Sequence, residues 1–491
     1  MAENIIDNYK IVVDGVPSEI SIYKTPTEFV PIYKMVFPII EPATQAVLDS
    51  IREKLVGEMS LRPYDILNLE DVETMKRNFF QRSLQLIESQ LPNLSEKDRG
   101  ILGGILIHHS LGLGEIEIML KDQNLEEIVI NNAKEPVWVY HRRIGWLKTN
   151  LKVKSENDVY NYASLIGRRV GTQITHLNPM MDAYLTTGDR SNATLFPISS
   201  KGNTLTIRKF ASRPWTITDF IQAKTVSPEV AAFLWLAIQY EMNIIIAGGT
   251  ASGKTSLLNV LTSFFQPNHR IISIEDTREL QLPMFLHWVP MTTRPANPEG
   301  KGEVTMLDLM INALRMRPDR VIVGEMRRSR EAEVLFEAIH TGHSVYSTLH
   351  ANTADEVIRR LTNPPINIPM TLLSSLQLIA VMHRDRRREI RRLLEISEII
   401  TGTEGNEFDL NNTFRWIPSK DEIVEIEKST RVLDEIKLYT GMTVEEVEKD
   451  LNEKAKILKW LVKMDVKDVN KVGKAISEYY KDPKQFLKNI S

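Results

Sequence analysis

The chain of 491 residues contains no cysteine. This absence excludes a disulfide framework and any metal site that needs thiolate ligands. Long apolar runs are also missing: the nearest candidate, residues 230–249, is interrupted by Gln239, Glu241 and Asn243. The first residues lack the basic and apolar regions of a secretory signal. We therefore expect a soluble, cytoplasmic protein without a membrane-spanning helix, and we expect any membrane role to be peripheral.

An excess of one charge is missing as well. The chain has 61 Lys and Arg against 64 Asp and Glu, which gives a formal net charge of −3. This balance argues against binding of nucleic acid over the whole surface, although it leaves a local basic groove open. The length predicts two to four domains, each large enough to bury its own core.

The chain does contain a P-loop pattern, G-x-x-x-x-G-K-[ST], between an apolar run at 242–247 and a helical stretch at 256–262. A strand, a glycine-rich loop and a helix N-terminus in this order form a cradle of backbone N–H groups for phosphate. We expect Lys254 to reach the β- and γ-phosphates and Thr255 to bind Mg²⁺. The predicted nucleotide-binding residues are Gly248, Gly249, Thr250, Ala251, Ser252, Gly253, Lys254 and Thr255, and no base-reading motif separates ATP from GTP.

Two further predicted strands end in acidic residues, Glu275 after 271–274 and Glu325 after 320–323. Open α/β sheets bind ligands beyond the carboxyl ends of their strands, so both carboxylates are expected at the P-loop. We expect the strand of Glu325 to lie beside the P-loop strand, and Glu325 to act on Mg²⁺ and the attacking water. Glu275 is a candidate general base. An ordinary surface acid at Glu325 and helix capping by Asp276 remain alternatives.

Two histidines, His343 and His350, bracket a fourth predicted strand. The chain has no cysteine, and two histidines seven residues apart on a strand do not reach one metal ion from the same face, so we expect no zinc. Neutral imidazole both donates and accepts hydrogen bonds. We therefore interpret the two histidines as groups that couple the γ-phosphate to neighbouring elements.

The order of the segments GGTASGKT, IEDTREL, RPDRVIVGEMR and TGHSVYSTLHAN resembles the type II/type IV secretion ATPase superfamily, where they are the Walker A, aspartate box, Walker B and histidine box. The resemblance implies an α/β fold with a RecA-like P-loop domain built on a parallel-rich sheet. Many bacterial members carry a four-cysteine zinc module, and its absence here points to the archaeal branch of archaellum and pilus motors. The expected organisation is a partner-docking α/β domain at 1–98, a PAS-like α+β domain at 99–210, a linker at 211–218, the ATPase domain at 219–425 and a helical C-terminal extension at 426–491.

The same resemblance implies a hexameric, Mg²⁺-dependent ATPase that powers assembly of a type IV pilus-like filament or a secretion pseudopilus. Such a motor sits on the cytoplasmic face of the membrane, docks to a polytopic platform protein and acts indirectly on pilin subunits. The family places arginines that act on the neighbouring subunit at the end of its N-terminal domain, and Arg190 and Arg208 match them. Surface salt bridges are the alternative for both arginines.

Two other functions remain open. The first is a DNA-directed RecA-like motor, either a helicase or a DNA-transport ATPase, and the balanced charge disfavours it. The second is a nucleotide-gated scaffold that binds without hydrolysis. The basic run at 384–392 is interpreted as the solvated turn of a hairpin rather than as a DNA-binding site. It is also a candidate contact for acidic loops of a membrane partner.

Overall fold

The computed structural model divides the chain into two compact units, residues 1–212 and 213–491. The division lies within the expected linker at 211–218, of which residues 211 and 212 are outside the described part. The structure describes residues 4–58, 69–185, 188–210, 213–294, 296, 300–401 and 408–490.

The first unit combines an extended sheet with helices. Its elements are β1 (Asn4–Val13), β2 (Val16–Lys24), β3 (Ile32–Val36), α1 (Pro42–Glu58), α2 (Leu69–Gln90), α3 (Glu96–Leu111), α4 (Ile116–Lys121), β4 (Leu125–Ile130), β5 (Trp138–His141), β6 (Gly145–Thr149), α5 (Glu156–Arg169), β7 (Met180–Tyr184), β8 (Arg190–Thr194) and β9 (Thr204–Arg208).

The strands of the first unit form one sheet in the order β1-β2-β3-β6-β5-β4-β9-β8-β7. β3 joins the early strands to the later ones by pairing in parallel with β6. Helix α3 crosses the expected boundary near residue 98, and a Cβ at its Gly104 would lie only 2.2 Å from the carbonyl oxygen of Asp14. Residues 1–98 therefore share a sheet and a compact unit with residues 99–210.

The second unit continues with α6 (Ile217–Gln222), α7 (Pro228–Gln239), β10 (Ile244–Gly248), α8 (Lys254–Leu261), β11 (Arg270–Glu275), β12 (His287–Thr292), α9 (Met306–Leu314), β13 (Arg320–Val323), α10 (Ser329–His340), β14 (Ser344–Leu349), α11 (Ala354–Thr362), α12 (Met370–Leu373), β15 (Leu378–Asp385), β16 (Ile390–Thr401), β17 (Phe408–Ile417), β18 (Glu422–Glu425), α13 (Arg431–Thr440), α14 (Val444–Lys463), α15 (Val469–Lys481) and α16 (Pro483–Ile490).

The sheet of the second unit has the order β12-β11-β13-β14-β10-β15-β16-β17-β18. Neighbouring strands in the first part of this order, from β12 through β10 to β15, pair in parallel, and those from β15 to β18 pair antiparallel. This confirms the expected α/β fold with a parallel-rich sheet. The apolar run of β10 is explained by burial on both faces. Ile244 and Ile246 pack into one hydrophobic cluster, while Ile245 and Ala247 pack into the other.

One prediction about strand order is wrong. β13, which leads to Glu325, does not lie beside the P-loop strand β10, because β14 pairs with both of them. The amino-acid pattern of a buried strand shows that its two faces are covered, but it does not show which strands are its neighbours.

The C-terminal extension is helical, as expected, and it belongs to the core of the second unit. Helices α13 to α16 contribute Val432, Leu458, Ile476 and Phe486 to the hydrophobic cluster that also contains α7 and α8. The predicted capping box at the start of α14 is confirmed, since Thr443 and Glu446 cap one another. The last helices therefore support the P-loop side of the sheet rather than forming a separate tail.

Candidate nucleotide site

The P-loop connects the end of β10 to the start of α8 through a tight turn. Gly248 and Gly253 have φ angles of 154° and 97°, and Ala251 between them has a φ of 59°. A Cβ at Gly248 would lie 2.4 Å from Oγ of Ser252, so only glycine fits there. The Ser252 hydroxyl is buried and has no hydrogen-bond partner within the described residues. A turn of this kind at a helix N-terminus, with a free buried hydroxyl, fits a phosphate group.

Lys254 is held inside the loop. Its side chain is largely buried, and Nζ donates to the carbonyl oxygen of Gly249 at 3.0 Å and to Nδ1 of His350 at 3.3 Å. Burial lowers the pKa of Lys254, while the nearby carboxylates of Glu325 and Glu279 act in the opposite direction. The ammonium group therefore lies close to both the loop backbone and the acid at the end of β13.

His350 connects Lys254 to Glu325. Its Nε2 lies 3.0 Å from Oε1 of Glu325. Because an ammonium group only donates, Nδ1 of the imidazole must accept, and the proton must sit on Nε2. Burial and the charge of Lys254 both lower the pKa of His350, which favours this neutral form. Lys254, His350 and Glu325 thus form a line across the carboxyl ends of β10, β14 and β13.

Arg327, which the sequence analysis did not single out, closes the other side of Glu325. Its Nε and Nη2 lie 2.9 and 2.6 Å from Oε2 of Glu325, and its Nη1 lies 2.8 Å from Oδ2 of Asp276. A guanidinium group is suited to such a bridge because its donors form a planar fork. The ends of β11 and β13 are thereby linked, and the ion pair with Arg327 accounts for Asp276 without a capping role. The one sequence signal was an arginine two positions after Glu325.

Glu275 is buried at the end of β11. Its Oε1 accepts hydrogen bonds from the backbone N–H groups of Glu279 at 2.8 Å and Leu280 at 3.1 Å. Its Oε2 is buried without a partner in the described part of the chain. Burial raises the pKa of Glu275 to about 7, against the effect of the two backbone hydrogen bonds. A carboxyl group that titrates near neutrality, with one free oxygen, is suited to proton transfer.

This arrangement can be set beside known proteins. A family model described as "Type II/IV secretion system protein" matches residues 186–418. An uncharacterised protein of Methanocaldococcus jannaschii is 33% identical over 95% of this chain and 88% of its own length. The type IV secretion system protein PtlH of Bordetella pertussis is 31% identical over 50% of this chain and 77% of its own length.

The chain belongs to the type II/IV secretion system protein family. This confirms the resemblance found in the four sequence segments, including the similarity to archaeal proteins. Among solved structures, the ATPase DotB of Legionella pneumophila is 18% identical over 76% of this chain and 95% of its own chain, with a TM-score of 0.41. The parallel sheet with its P-loop and the family membership support the RecA-like fold.

In this secretion system protein, two arginines are expected to act on a neighbouring subunit. They lie next to each other in the first unit. Arg190 of β8 and Arg208 of β9 are register partners. Arg190 forms a two-pronged ion pair with Asp182 at 3.0 and 2.6 Å, and its guanidinium lies 5.2 Å from the ring centre of Tyr184. Arg208 is also the register partner of Glu127 on β4. The structure therefore places both arginines in one cross-strand row.

His343 does not join the residues at the P-loop. It precedes β14, whereas His350 follows it, so the two histidines lie at opposite ends of that strand. Nδ1 of His343 lies 3.0 Å from both the carbonyl oxygen of Ala338 and Oγ1 of Thr341. These contacts fasten the turn between α10 and β14. The expected contact with phosphate is not supported for His343 within this unit, because the carboxyl ends of the strands carry the site.

The basic run forms the predicted hairpin, made of β15 and β16. Arg386, Arg387 and Arg388 lie exposed in its turn. Arg391 differs from them, because its Nε donates to the carbonyl oxygen of Ala251 in the P-loop at 3.1 Å. This contact was not predicted, since an arginine in a basic hairpin is ordinarily solvated.

Proposed function

We propose that the chain is a hexameric, Mg²⁺-dependent ATPase motor that powers assembly of a type IV pilus-like filament or a secretion pseudopilus. The observation that carries this proposal is the line of Lys254, His350 and Glu325 across three neighbouring strand ends. It joins the phosphate-binding loop to an acid through a neutral imidazole. Family membership supports the link to secretion and filament systems.

In this proposal the loop residues 248–255 hold the triphosphate, and Lys254 neutralises charge on the β- and γ-phosphates. Thr255, the second residue of α8, and Glu325 hold Mg²⁺. Bound there, Mg²⁺ would supply positive charge that offsets the negative charge developing during phosphoryl transfer. Glu275 accepts the proton of the attacking water, for which its free Oε2 and its raised pKa are suited. His350 reports on the terminal phosphate because it contacts both Lys254 and Glu325.

Assembly into a ring is the second part of the proposal. Arg190 and Arg208 lie in one cross-strand row and can offer two guanidinium groups to the nucleotide of a neighbouring subunit. A cation supplied in this way increases kcat for nucleotide hydrolysis by about 10³–10⁵. The proposed place of action is the cytoplasmic face of the membrane, against a polytopic platform protein. Within the described residues, no helix has the length and apolar character needed to cross a bilayer.

The test is ATP hydrolysis by the purified full chain, followed with and without Mg²⁺ and across a range of protein concentrations. The proposal expects Mg²⁺-dependent turnover, a specific rate that increases as hexamers form, and stimulation by its platform protein in lipid vesicles. Stimulation by single-stranded DNA alone would favour the DNA-directed motor instead. Nucleotide binding without turnover in a single-turnover assay would favour the scaffold.

A further inference from the structure

The hairpin of β15 and β16 braces the P-loop from outside. On the outgoing strand, Met382 is the register partner of Gly248, and its carbonyl oxygen lies 2.5 Å from the position that a Cβ of Gly248 would take. On the returning strand, Nε of Arg391 donates to the carbonyl oxygen of Ala251 at 3.1 Å. Cδ of Arg391 lies 3.5 Å from the Cβ position at Gly253. The hairpin therefore lies against the loop at its first glycine, at its middle and at its last glycine.

The contact to Ala251 matters because this residue has a φ of 59°, which is unfavourable for a residue with a Cβ. A trans peptide points its C=O and the following N–H in opposite directions. Holding the carbonyl of Ala251 toward Arg391 thus turns the N–H of Ser252 to the other side. There it donates to the carbonyl oxygen of Gly249 at 3.3 Å, the same oxygen that accepts from Nζ of Lys254.

The neighbouring Arg392 contacts a different part of the unit, the turn before β18. Its side chain is buried, and its Nε and Nη2 lie 2.8 and 2.9 Å from the two carboxylate oxygens of Asp421. This pair fastens β16 to the turn before β18. Because the strand is held by Arg392, a change at Arg391 can remove the contact to the P-loop without releasing the hairpin.

We infer that Arg391 is a positioning residue for nucleotide binding, which acts through the carbonyl of Ala251. This inference rests on the proposed function. The backbone N–H groups of a P-loop cradle the α- and β-phosphates, whereas its lysine reaches the β- and γ-phosphates. A brace on the middle of the loop therefore affects the part of the site that ADP and ATP share. Loss of the brace weakens both nucleotides equally and leaves the chemical step at saturation nearly unchanged.

The experiment measures equilibrium binding of fluorescent ADP and a non-hydrolysable ATP analogue to the full chain, together with kcat and KM for ATP. Arg391→Ala is expected to weaken both ligands by about tenfold, as the loss of one hydrogen bond from a charged donor predicts. Its kcat stays within about twofold of the wild type. Arg391→Lys gives a smaller loss, since it keeps the charge but lacks the Nε donor. Arg387→Ala, which removes an equal charge from the exposed turn, binds like the wild type.

Two results overturn the inference: unchanged ADP affinity in Arg391→Ala, whether or not the ATP analogue is weakened, or an equal loss of affinity in Arg387→Ala. If Arg391→Ala fails to fold, Arg391→Lys carries the same comparison of ADP with the ATP analogue. Failure of the proposed function looks different, because it appears in the wild-type chain itself, which then binds neither nucleotide or binds both without turnover.

Discussion

Nε2 of His350 lies 3.0 Å from Oε1 of Glu325, and Nδ1 of the same imidazole lies 3.3 Å from Nζ of Lys254. A neutral imidazole is the group that can accept from the ammonium and donate to the carboxylate at once. His350 thus orients the acid that is proposed to hold Mg²⁺, in the way that second partners orient metal ligands.

The first prediction concerns His350. Replacing it with alanine leaves Glu325 without one of the two partners that it has among the described residues, so we expect the Mg²⁺ needed for half-maximal ATPase activity to rise, or kcat to fall, by about ten- to a hundredfold. A Mg²⁺ titration of the steady-state rate measures this. His287→Ala, on the exposed side of β12, serves as the control and is expected to leave the titration unchanged. An unaltered Mg²⁺ dependence together with an unaltered kcat in His350→Ala would contradict the proposed role of His350.

The second prediction concerns the pH dependence of stability at Glu275. Burial raises the pKa of this carboxyl from 4.5 to about 7 in the folded chain. Between these values the unfolded chain releases the proton and the folded chain keeps it, so the folded state loses stability as pH increases. The Tm of the wild type should therefore fall relative to Glu275→Gln from about pH 4.5 to about pH 7, and the gap should then stay constant. Thermal unfolding at several pH values shows this, with the exposed Glu337→Gln as the control. A gap that does not change with pH would contradict the burial of an ionisable group there.

The third prediction concerns the C-terminal helices. Lys454 of α14 is fully buried, forms an ion pair with Asp450 and lies over the rings of Trp235 and Tyr479, at 5.5 and 5.3 Å from their centres. Lys454→Ala leaves the largely buried carboxylate of Asp450 with the hydrogen bond from Tyr479 but without its ion-pair partner, which should lower the free energy of unfolding by about 3–5 kcal/mol. Lys459→Ala on the same helix removes an exposed pair with Glu229 and should cost less than about 1 kcal/mol. Chemical denaturation measures the free energy of unfolding of both variants. Equal losses would show that the buried ion pair stabilises the fold no more than the exposed pair does.

The fourth prediction concerns the arginines of the first unit. If Arg208 acts across a subunit boundary, Arg208→Ala mixed with Lys254→Ala should recover part of the ATPase activity that each variant lacks alone. Arg143, an exposed arginine of the same unit that pairs with Asp7, supplies the control variant Arg143→Ala, which should keep activity without mixing. Absence of recovery at every mixing ratio would count against the action in trans.

Local patterns in the sequence were enough to predict the P-loop, the strands around it and the acids at their ends. Each depends on a short run: an apolar strand, a glycine turn, a capping pair at Thr443 and Glu446. Strand order was not predictable in this way: β14 was expected as a strand, but its position between β10 and β13 was not. The expected role of His343 failed for a related reason. β14 has six residues that rise about 3.3 Å each, so His343 before the strand and His350 after it are about 20 Å apart.

The contacts of Arg327 and Arg391 could not be predicted because they depend on elements that meet only in the folded chain. Arg327 bridges two strand ends, and Arg391 reaches the P-loop from a hairpin far along the sequence. In the sequence, each is one arginine among several in a charged stretch. The union of the segments before and after residue 98 in one sheet was likewise unpredictable, since the parallel pairing of β3 with β6 is a long-range contact.

The most direct measurement is the ATPase rate of the purified chain beside its Lys254→Ala variant, with nucleotide binding measured in parallel. The account predicts Mg²⁺-dependent turnover in the wild type and its loss in Lys254→Ala, because the loop then lacks the cation next to the β- and γ-phosphates. Hydrolysis at the wild-type rate by Lys254→Ala would contradict the claim that these strand ends converge on one triphosphate.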